Sequence, residues 1–162
     1  MILAQHASSI PVFALATRLY ARATAALQRY AAPVFDLAVR LWIAQVFFMS
    51  GRTKIADWET TIYLFESEYK VPLLPPEIAA YIGTTFELLM PLFLIVGLAS
   101  RFAAMPLIGM ACVIQFALGA ANPDYDSVEH FYWMFLLAMI IIRGSGPLSL
   151  DHLVRRRFIL GQ

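Results

Sequence analysis

Two apolar stretches decide the fold: EIAAYIGTTFELLMPLFLIVG at residues 77–97 and FAAMPLIGMACVIQFALGA at residues 102–120. A helix that crosses a bilayer needs about 20 consecutive, mainly apolar residues. Pro91 and Pro106 lie inside the two stretches, which membrane helices tolerate because neighbouring helices satisfy the freed backbone groups. We therefore predict a transmembrane helix over each stretch.

The composition of the whole chain also indicates a membrane protein. Hydrophobic residues make up 60% and charged residues 14% of the 162 residues, against roughly 45–50% and about 25% in soluble domains. A soluble domain of about 150 residues buries only about 70% of its unfolded surface, so this apolar excess needs lipid around it. This excludes a soluble enzyme and a disordered chain. The net charge of +1 provides no basic field for nucleic acid.

Two further segments complete the predicted membrane domain. Residues 33–55 are long enough to span, and residues 128–142 contain the shorter apolar core FYWMFLLAMIII. The predicted fold class is an all-α polytopic membrane protein, a four-transmembrane-helix bundle forming one domain over residues 1–162. The spans are 33–55, 77–97, 102–120 and 128–142.

Amphipathic helices are predicted at both ends of the chain. Residues 11–30 place Arg18, Arg22 and Arg29 on one face and apolar side chains on another, which is typical of a helix lying in the membrane surface. The alternative is a helix that packs on a partner protein. At the other end, Ser149 has the character of an N-cap, and a short cytoplasmic tail helix is predicted over 149–159.

Orientation follows from the lysines and arginines of the loops. With four spans, both termini lie on the same side of the membrane. That side holds eight basic residues: Arg18, Arg22, Arg29, Arg101, Arg143, Arg155, Arg156 and Arg157. The other side holds three: Arg52, Lys54 and Lys70. The chain lacks a basic segment before an early apolar run, so no cleaved signal peptide is expected. We predict a multi-pass bacterial inner-membrane protein with cytoplasmic N- and C-termini.

Arg40 and Glu87 are charges inside predicted spans. A charge at the centre of a bilayer costs at least about 2.5 kcal/mol, so such residues tend to face the bundle interior and to pair. The spacing predicts a buried Arg40–Glu87 pair, with Asp36 as a competing partner one helical turn before Arg40. A structural ion pair and a functional site are both compatible with this pattern.

Further polar residues extend the candidate site. Gly51, Lys54 and Trp58 share a helical stripe with Arg40, and Asp57 is spaced to pair with Lys54. Lys54 has the alternative of extending to the membrane surface. His130 begins the fourth span, where it could transfer a proton, hydrogen-bond a quinone carbonyl or simply lie at the boundary. The candidate ligand-pocket residues are Arg40, Gly51, Lys54, Asp57, Glu87 and His130.

These residues occur in segments that resemble a known family. The first span contains RL at 40–41 and FFMSGRTKIADW at 47–58, and the second contains FELL at 86–89 and GLASR at 97–101. In this order the segments resemble the DoxX family of small four-helix bacterial membrane proteins, over roughly residues 36–143. The matching positions are Arg40, Gly51, Lys54, Asp57, Glu87 and Arg101.

The resemblance implies a membrane subunit linked to redox work. The family takes its name from a thiosulfate:quinone oxidoreductase, other members associate with oxidative-stress proteins, and some are encoded near iron-dependent peptide-modifying enzymes in metal-stress operons. The implied cofactor is a quinone, and the implied partners are other membrane or redox proteins or a second copy of the chain. The chain has one cysteine, so the cysteine pairs of redox-active four-helix relatives are missing.

Three functions are compatible with the sequence. The leading hypothesis is an accessory subunit of a redox or metal-stress system with a pocket for a quinone or another small apolar ligand. A non-enzymatic scaffold that assembles partners is the alternative, since no Walker, GxGxxG or GxSxG motif is present. A small-solute transporter is the weakest of the three. Catalytic residues are not identified, and no metal-ligand cluster is evident.

The predicted orientation can be tested with reporter fusions. A phosphatase that works only in the periplasm should be inactive when fused at Gln162 and active when inserted near Asp124, because these positions are expected on opposite sides of the membrane. Enzyme activity on intact cells is the measurement. An active fusion at Gln162 would contradict the cytoplasmic C-terminus.

Overall fold

The structure, a computed structural model, describes residues 9–69, 71, 74–159 and 161. Every regular element in these residues is helical, which confirms the prediction of an all-α protein. The chain divides into two compact units, Met1–Phe35 and Asp36–Gln162. The two units are described separately.

The first unit is a helical segment. Helix α1 runs over Ser9–Ala26 and is followed by a π-helical turn, Leu27–Ala31. Phe13, Tyr20 and Tyr30 are strongly exposed. The helix predicted over residues 11–30 is therefore present, and its location in the membrane surface stays a prediction.

In its described residues, the second unit contains a 3-10 turn, Pro123–Tyr125, and six α-helices, the first of which starts at the end of the first unit. Their bounds are α2 Ala32–Ala56, α3 Trp58–Leu64, α4 Pro76–Val96, α5 Ser100–Cys112, α6 Val128–Arg143 and α7 Leu150–Val154. Three of them continue as π-helical turns: α3 into Phe65–Tyr69, α5 into Val113–Leu118 and α7 into Arg155–Ile159. After its π-helical turn, α5 ends with the α-helical residues Gly119–Ala121.

Local capping residues set the helix boundaries. Pro76 begins α4, where its missing N–H costs nothing. Ser127 caps α6 by accepting a hydrogen bond from the amide of Glu129, and Ser149 caps α7 through the amide of His152. The prediction that Ser149 is an N-cap is confirmed. The prolines at positions 72, 75 and 76 predict a rigid loop before α4, and Pro72 lies outside the described residues.

Small side chains allow the helices to approach closely. Ala44, Ala104 and Ala111 are fully buried in the core formed by α2, α4, α5 and α6, and Ala80 is fully buried in a smaller cluster with Phe65. In a membrane, such residues strengthen helix association because they bring backbones within van der Waals contact. Larger residues, including Leu107, fill the rest of the core.

Within the part of the chain that the structure describes, three helical stretches are long and apolar enough to cross a membrane: Phe13–Ala56, Pro76–Val96 and Ser100–Ala121. In the second and third, only 33% of the most apolar window is buried inside the protein. The rest of their apolar surface is left for lipid, which indicates membrane embedding. Helix α6 has 16 residues and is shorter than these stretches, so a fourth span stays a prediction.

The turn between α4 and α5 requires a glycine. Gly97 has φ of +72°, a left-handed conformation that closes α4 with a hydrogen bond from its amide to Phe93 O. A Cβ at Gly97 would lie 2.5 Å from Ser149 Cβ and would also clash with Arg40 Nη1. Conformation and space therefore both exclude a side chain here.

Replacing Gly97 should destabilise the bundle. We expect Gly97→Ala to lower the free energy of unfolding by at least about 1–2 kcal/mol, the cost of a left-handed Cβ, with a further cost from displacing Arg40. Gly109→Ala is the matched control, because a Cβ there meets nothing within 4 Å and should stabilise α5 by about 0.5–1 kcal/mol. Unfolding in detergent measures both. Equal stability of the two variants would contradict the assigned role of Gly97.

Candidate functional site

Lys54 and Glu87 form a largely buried ion pair between α2 and α4. Lys54 Nζ lies 2.7 Å from Glu87 Oε2 and 2.9 Å from Oε1, and it also donates to Ser50 Oγ at 2.9 Å. The Glu87 side chain is 3% exposed and that of Lys54 is 17% exposed. The lysine therefore turns inward to the carboxylate rather than outward to the membrane surface.

Gly51 makes this pairing geometrically feasible. A Cβ at Gly51 would lie 2.9 Å from Leu88 Cγ and 3.1 Å from Glu87 Cβ. The absence of a side chain lets α4 approach α2 at the level of Glu87. Lys54 lies about one helical turn beyond Gly51, because a turn takes about 3.6 residues, and so reaches the carboxylate.

The predicted Arg40–Glu87 pair is wrong. Arg40 is 1% exposed and donates to backbone carbonyls: Nη1 to Leu94 O at 2.9 Å, and Nη2 to Leu148 O. It is too far from Glu87, because Arg40 precedes Gly51 by about 16 Å along the helix at about 1.5 Å per residue. The alternative partner, Asp36, lies 3.3 Å from Arg143 Nη2 instead.

Asp57 does not pair with Lys54 but caps α3. Its carboxylate accepts hydrogen bonds from the amide of Thr60 at 3.0 Å and from the Thr60 hydroxyl at 2.7 Å. These hydrogen bonds lower the pKa of Asp57. The Lys54–Asp57 pairing expected from the sequence is therefore wrong.

A cavity of about 510 Å³ lies beside the Lys54–Glu87 pair, at the end of the second unit where α2 finishes and α6 begins. We call it the ion-pair cavity. Its polar or charged lining residues are Ser50, Lys54, Tyr69, Glu87, Tyr125 and His130. The rest of its wall is mainly apolar, including Phe65, Phe86, Met110, Val113, Ile114, Leu118 and Trp133. A mostly apolar cavity with a few converging polar groups is typical of small-molecule sites.

A short polar network holds His130 in this wall. His130 Nδ1 lies 2.9 Å from Gln115 Oε1, and Gln115 Nε2 donates to Asp126 Oδ1 at 2.5 Å. An ionised carboxylate only accepts hydrogen bonds, so Asp126 faces the amide NH₂ and the Gln115 oxygen faces the histidine. Nδ1 is therefore the donor, and in the neutral imidazole Nε2 is left as an acceptor. Gln115 is therefore a buried contact between the π-helical turn after α5 and the start of α6.

Two π-helical turns help to line the cavity. Phe65 and Tyr69 come from the turn after α3, and Val113, Ile114 and Leu118 come from the turn after α5. A π-helical turn widens the backbone and often occurs at functional sites. Here both turns contribute side chains to the wall of the same cavity.

Tyr69 and Tyr125 provide hydroxyl groups at the cavity wall. Their rings are in edge contact with centroids 6.0 Å apart, and the Tyr125 hydroxyl donates to the Glu68 carboxylate. Burial raises the pKa of Tyr69, and the hydrogen bond to Glu68 raises the pKa of Tyr125. Both side chains therefore remain neutral phenols at physiological pH.

The structure brings three of the six candidate residues to the cavity: Lys54, Glu87 and His130. Gly51 supports the ion pair from outside the cavity, Asp57 caps a helix, and Arg40 binds a helix end. Sequence reasoning missed the lining residues Ser50, Tyr69, Tyr125 and Trp133. Ser50 precedes Lys54 by one turn, which was a usable signal, but the π-helical turn that places Tyr69 has no sequence pattern. No group of three or more His, Cys, Asp or Glu residues in the described ranges could hold a metal ion.

Comparison with known proteins agrees with this architecture. The DoxX family model matches residues 35–120, more than half of the chain, and the match includes both partners of the Lys54–Glu87 pair. The chain belongs to the DoxX family. A relative from Haemophilus influenzae, described as an uncharacterized protein, is 29% identical over 129 residues, covering 74% of this chain and 83% of the relative. No solved structure matches the chain. This DoxX protein is thus an integral membrane protein whose helices contact lipid.

The ion pair predicts a strong coupling between Lys54 and Glu87. Lys54→Met and Glu87→Leu should each lower the free energy of unfolding by about 3–5 kcal/mol, because each leaves a buried charge without its partner. The double variant should be more stable than the sum of the two losses predicts. Unfolding in detergent of the singles and the double is the measurement.

Arg52 provides the matched control on the same helix. It is exposed two residues before Lys54, so Arg52→Met combined with Glu87→Leu should be additive within about 0.5 kcal/mol. Additivity in the Lys54–Glu87 double variant as well would show that the two side chains do not interact.

Proposed function

We propose that this DoxX protein is a quinone-binding accessory subunit of a redox system in the bacterial inner membrane, and that the quinone head group binds in the ion-pair cavity. The observation that carries the proposal is the convergence of Lys54, Glu87 and His130 on one mainly apolar cavity. Buried charges in membrane helices are costly and tend to mark ligand or proton sites. A purely structural ion pair would need no adjoining cavity.

The cavity fits the size and polarity of a quinone head group. Its volume of about 510 Å³ lies within the range of roughly 300–1,000 Å³ that is usual for small-molecule pockets. Aromatic and aliphatic side chains such as Phe65, Phe86 and Trp133 would contact the ring and the start of the isoprenoid tail. The sites for hydrogen bonding are confined to a few polar side chains, which suits a molecule with only two carbonyl groups.

The side chains of Lys54, His130 and Glu87 in the wall have distinct chemical capacities. Lys54 already donates hydrogen bonds to Ser50 and Glu87, so it would act mainly as a positive charge near a quinone oxygen. His130 Nε2 can accept a proton from a quinol hydroxyl, because Nδ1 is held as a donor by Gln115. Glu87 can hold a proton close to the same space. A bound quinone would supply the electron-transfer chemistry, and these residues would orient it and manage its protons.

The location and partners of the protein belong to the same proposal. Exposed apolar helices support lipid contact, and the distribution of arginines supports an inner-membrane protein with cytoplasmic termini. The chain has one cysteine, so it has no cysteine pair of its own to exchange electrons with a quinone. We therefore propose that another membrane or redox protein docks with this subunit.

Filling the cavity should weaken quinone binding. Gly109 lines the cavity, and a Cβ at this position meets nothing within 4 Å, so Gly109→Leu should project into the space that the ring would occupy. Binding of a short-chain ubiquinone analogue can be followed by quenching of tryptophan fluorescence, since Trp133 lies in the wall. We expect Gly109→Leu to weaken binding at least about tenfold, equivalent to ~1.4 kcal/mol.

Controls separate loss of space from loss of structure. Gly109→Ala adds a single methyl group and should bind the quinone analogue like the parent protein. If the quinone occupies this cavity, Trp133→Phe should lose most of the fluorescence quenching. His130→Phe should weaken binding about fivefold, because one hydrogen bond contributes about 1 kcal/mol. Unchanged binding by Gly109→Leu would refute the proposed location. Absence of saturable binding by the parent protein would leave scaffolding as the better hypothesis.

A further inference from the structure

A second cavity lies at the opposite end of the second unit, between the start of α5, the end of α6 and helix α7. Its volume is about 610 Å³, and three arginines line it: Arg101, Arg143 and Arg155. We call it the arginine pocket. We propose that it binds the phosphate group of an anionic phospholipid at the membrane surface.

Acidic side chains balance only part of the positive charge of the arginines in the pocket. Arg143 is paired with Asp36 at 3.3 Å. The two ion pairs found among the described residues are this one and Lys54–Glu87, so in that part of the chain Arg101 and Arg155 have no carboxylate partner. Guanidinium groups bind phosphate oxygens through paired hydrogen bonds. Two such groups at one cavity are therefore suited to a phosphate.

The acidic residue in the wall does not cancel this charge locally. Asp151 accepts hydrogen bonds from the amide of Ala99 at 2.8 Å and from the Ser145 hydroxyl at 2.6 Å. It thereby caps the start of α5. Although burial opposes ionisation, these hydrogen bonds outweigh it and lower the pKa of Asp151. Its oxygens are directed to the helix end, so they are occupied rather than available to an arginine in the pocket.

Apolar side chains beside the arginines indicate a lipid rather than a soluble phosphate. Phe102 follows Arg101 and is 73% exposed, and Ile142 precedes Arg143 and is 76% exposed. Both lie on helices whose outer surfaces are apolar. A phospholipid would place its phosphate among the arginines and its acyl chains along Phe102 and Ile142, whereas inorganic phosphate would make no contact with these side chains. Basic pockets at the ends of membrane helices are suited to anionic head groups.

Native mass spectrometry can test this site on the full-length protein in detergent. The protein would be offered phosphatidylglycerol and phosphatidylcholine with identical acyl chains. We expect preferential retention of phosphatidylglycerol, and about tenfold weaker retention in Arg101→Gln and in Arg155→Gln, corresponding to ~1.4 kcal/mol. Arg52→Gln is the matched control, because Arg52 is also exposed but lines neither cavity, and it should retain phosphatidylglycerol like the parent protein.

Further measurements distinguish loss of lipid binding from loss of structure and a lipid from inorganic phosphate. Arg101 also donates to Ile142 O at 3.3 Å, so its replacement could disturb the fold, whereas Arg155 is exposed on the tail and its replacement should not. Gel filtration and circular dichroism would verify this. Equal retention of the two lipids, or equal losses in Arg52→Gln and Arg155→Gln, would overturn the proposal. Thermal stabilisation by inorganic phosphate equal to that by phosphatidylglycerol would overturn the assignment to a lipid.

Discussion

Arg40 binds the carbonyl oxygens of Leu94, Ile95 and Leu148, and this buried contact organises one end of the second unit. The last carbonyls of a helix have no partner within the helix, and in a membrane they cannot rely on water. The guanidinium of Arg40 donates hydrogen bonds both to the end of α4 and to the segment before α7, and so links the two. The side chain fits only because Gly97 leaves space beside it. The cost of burying one charge is thus offset by hydrogen bonds that the chain would otherwise leave unmade.

Asp151 also stabilises this end of the second unit. It caps the start of α5 through Ala99 and Ser100, while its own amide donates to Gly97 O. The turn between α4 and α5 is therefore held by a positive and a negative side chain that come from distant parts of the sequence. The result is an end fixed by hydrogen bonds, with the arginine pocket on its surface.

At the opposite end of the second unit, departures from regular α-helical geometry accompany the ion-pair cavity. The π-helical turns after α3 and α5 displace Phe65, Tyr69 and Val113–Leu118 from regular positions, and Gly109 leaves room in α5. Lys54 and Glu87 neutralise each other in the wall, which lets two charges exist beside an apolar cavity without a bound counterion. A neutral ligand with weak polarity is compatible with such a site, whereas a strongly charged ligand would have to compete with the ion pair.

The sequence by itself determined the class of protein and most helix boundaries. Apolar runs of sufficient length, prolines at helix starts, Ser149 as a cap and the family segments all act locally, so their effects can be deduced residue by residue. Charge in the interior was also predictable, since Arg40, Glu87 and His130 stand out in apolar sequence. Their partners were not, because pairing depends on how far one helix is shifted along another. Close approach at Gly51 fixes that shift, brings Lys54 to Glu87 and leaves Arg40 about three turns away, at roughly 5.4 Å per turn. Only the tertiary structure decided this, since side chains on different helices meet according to backbone packing and not according to their order in the chain.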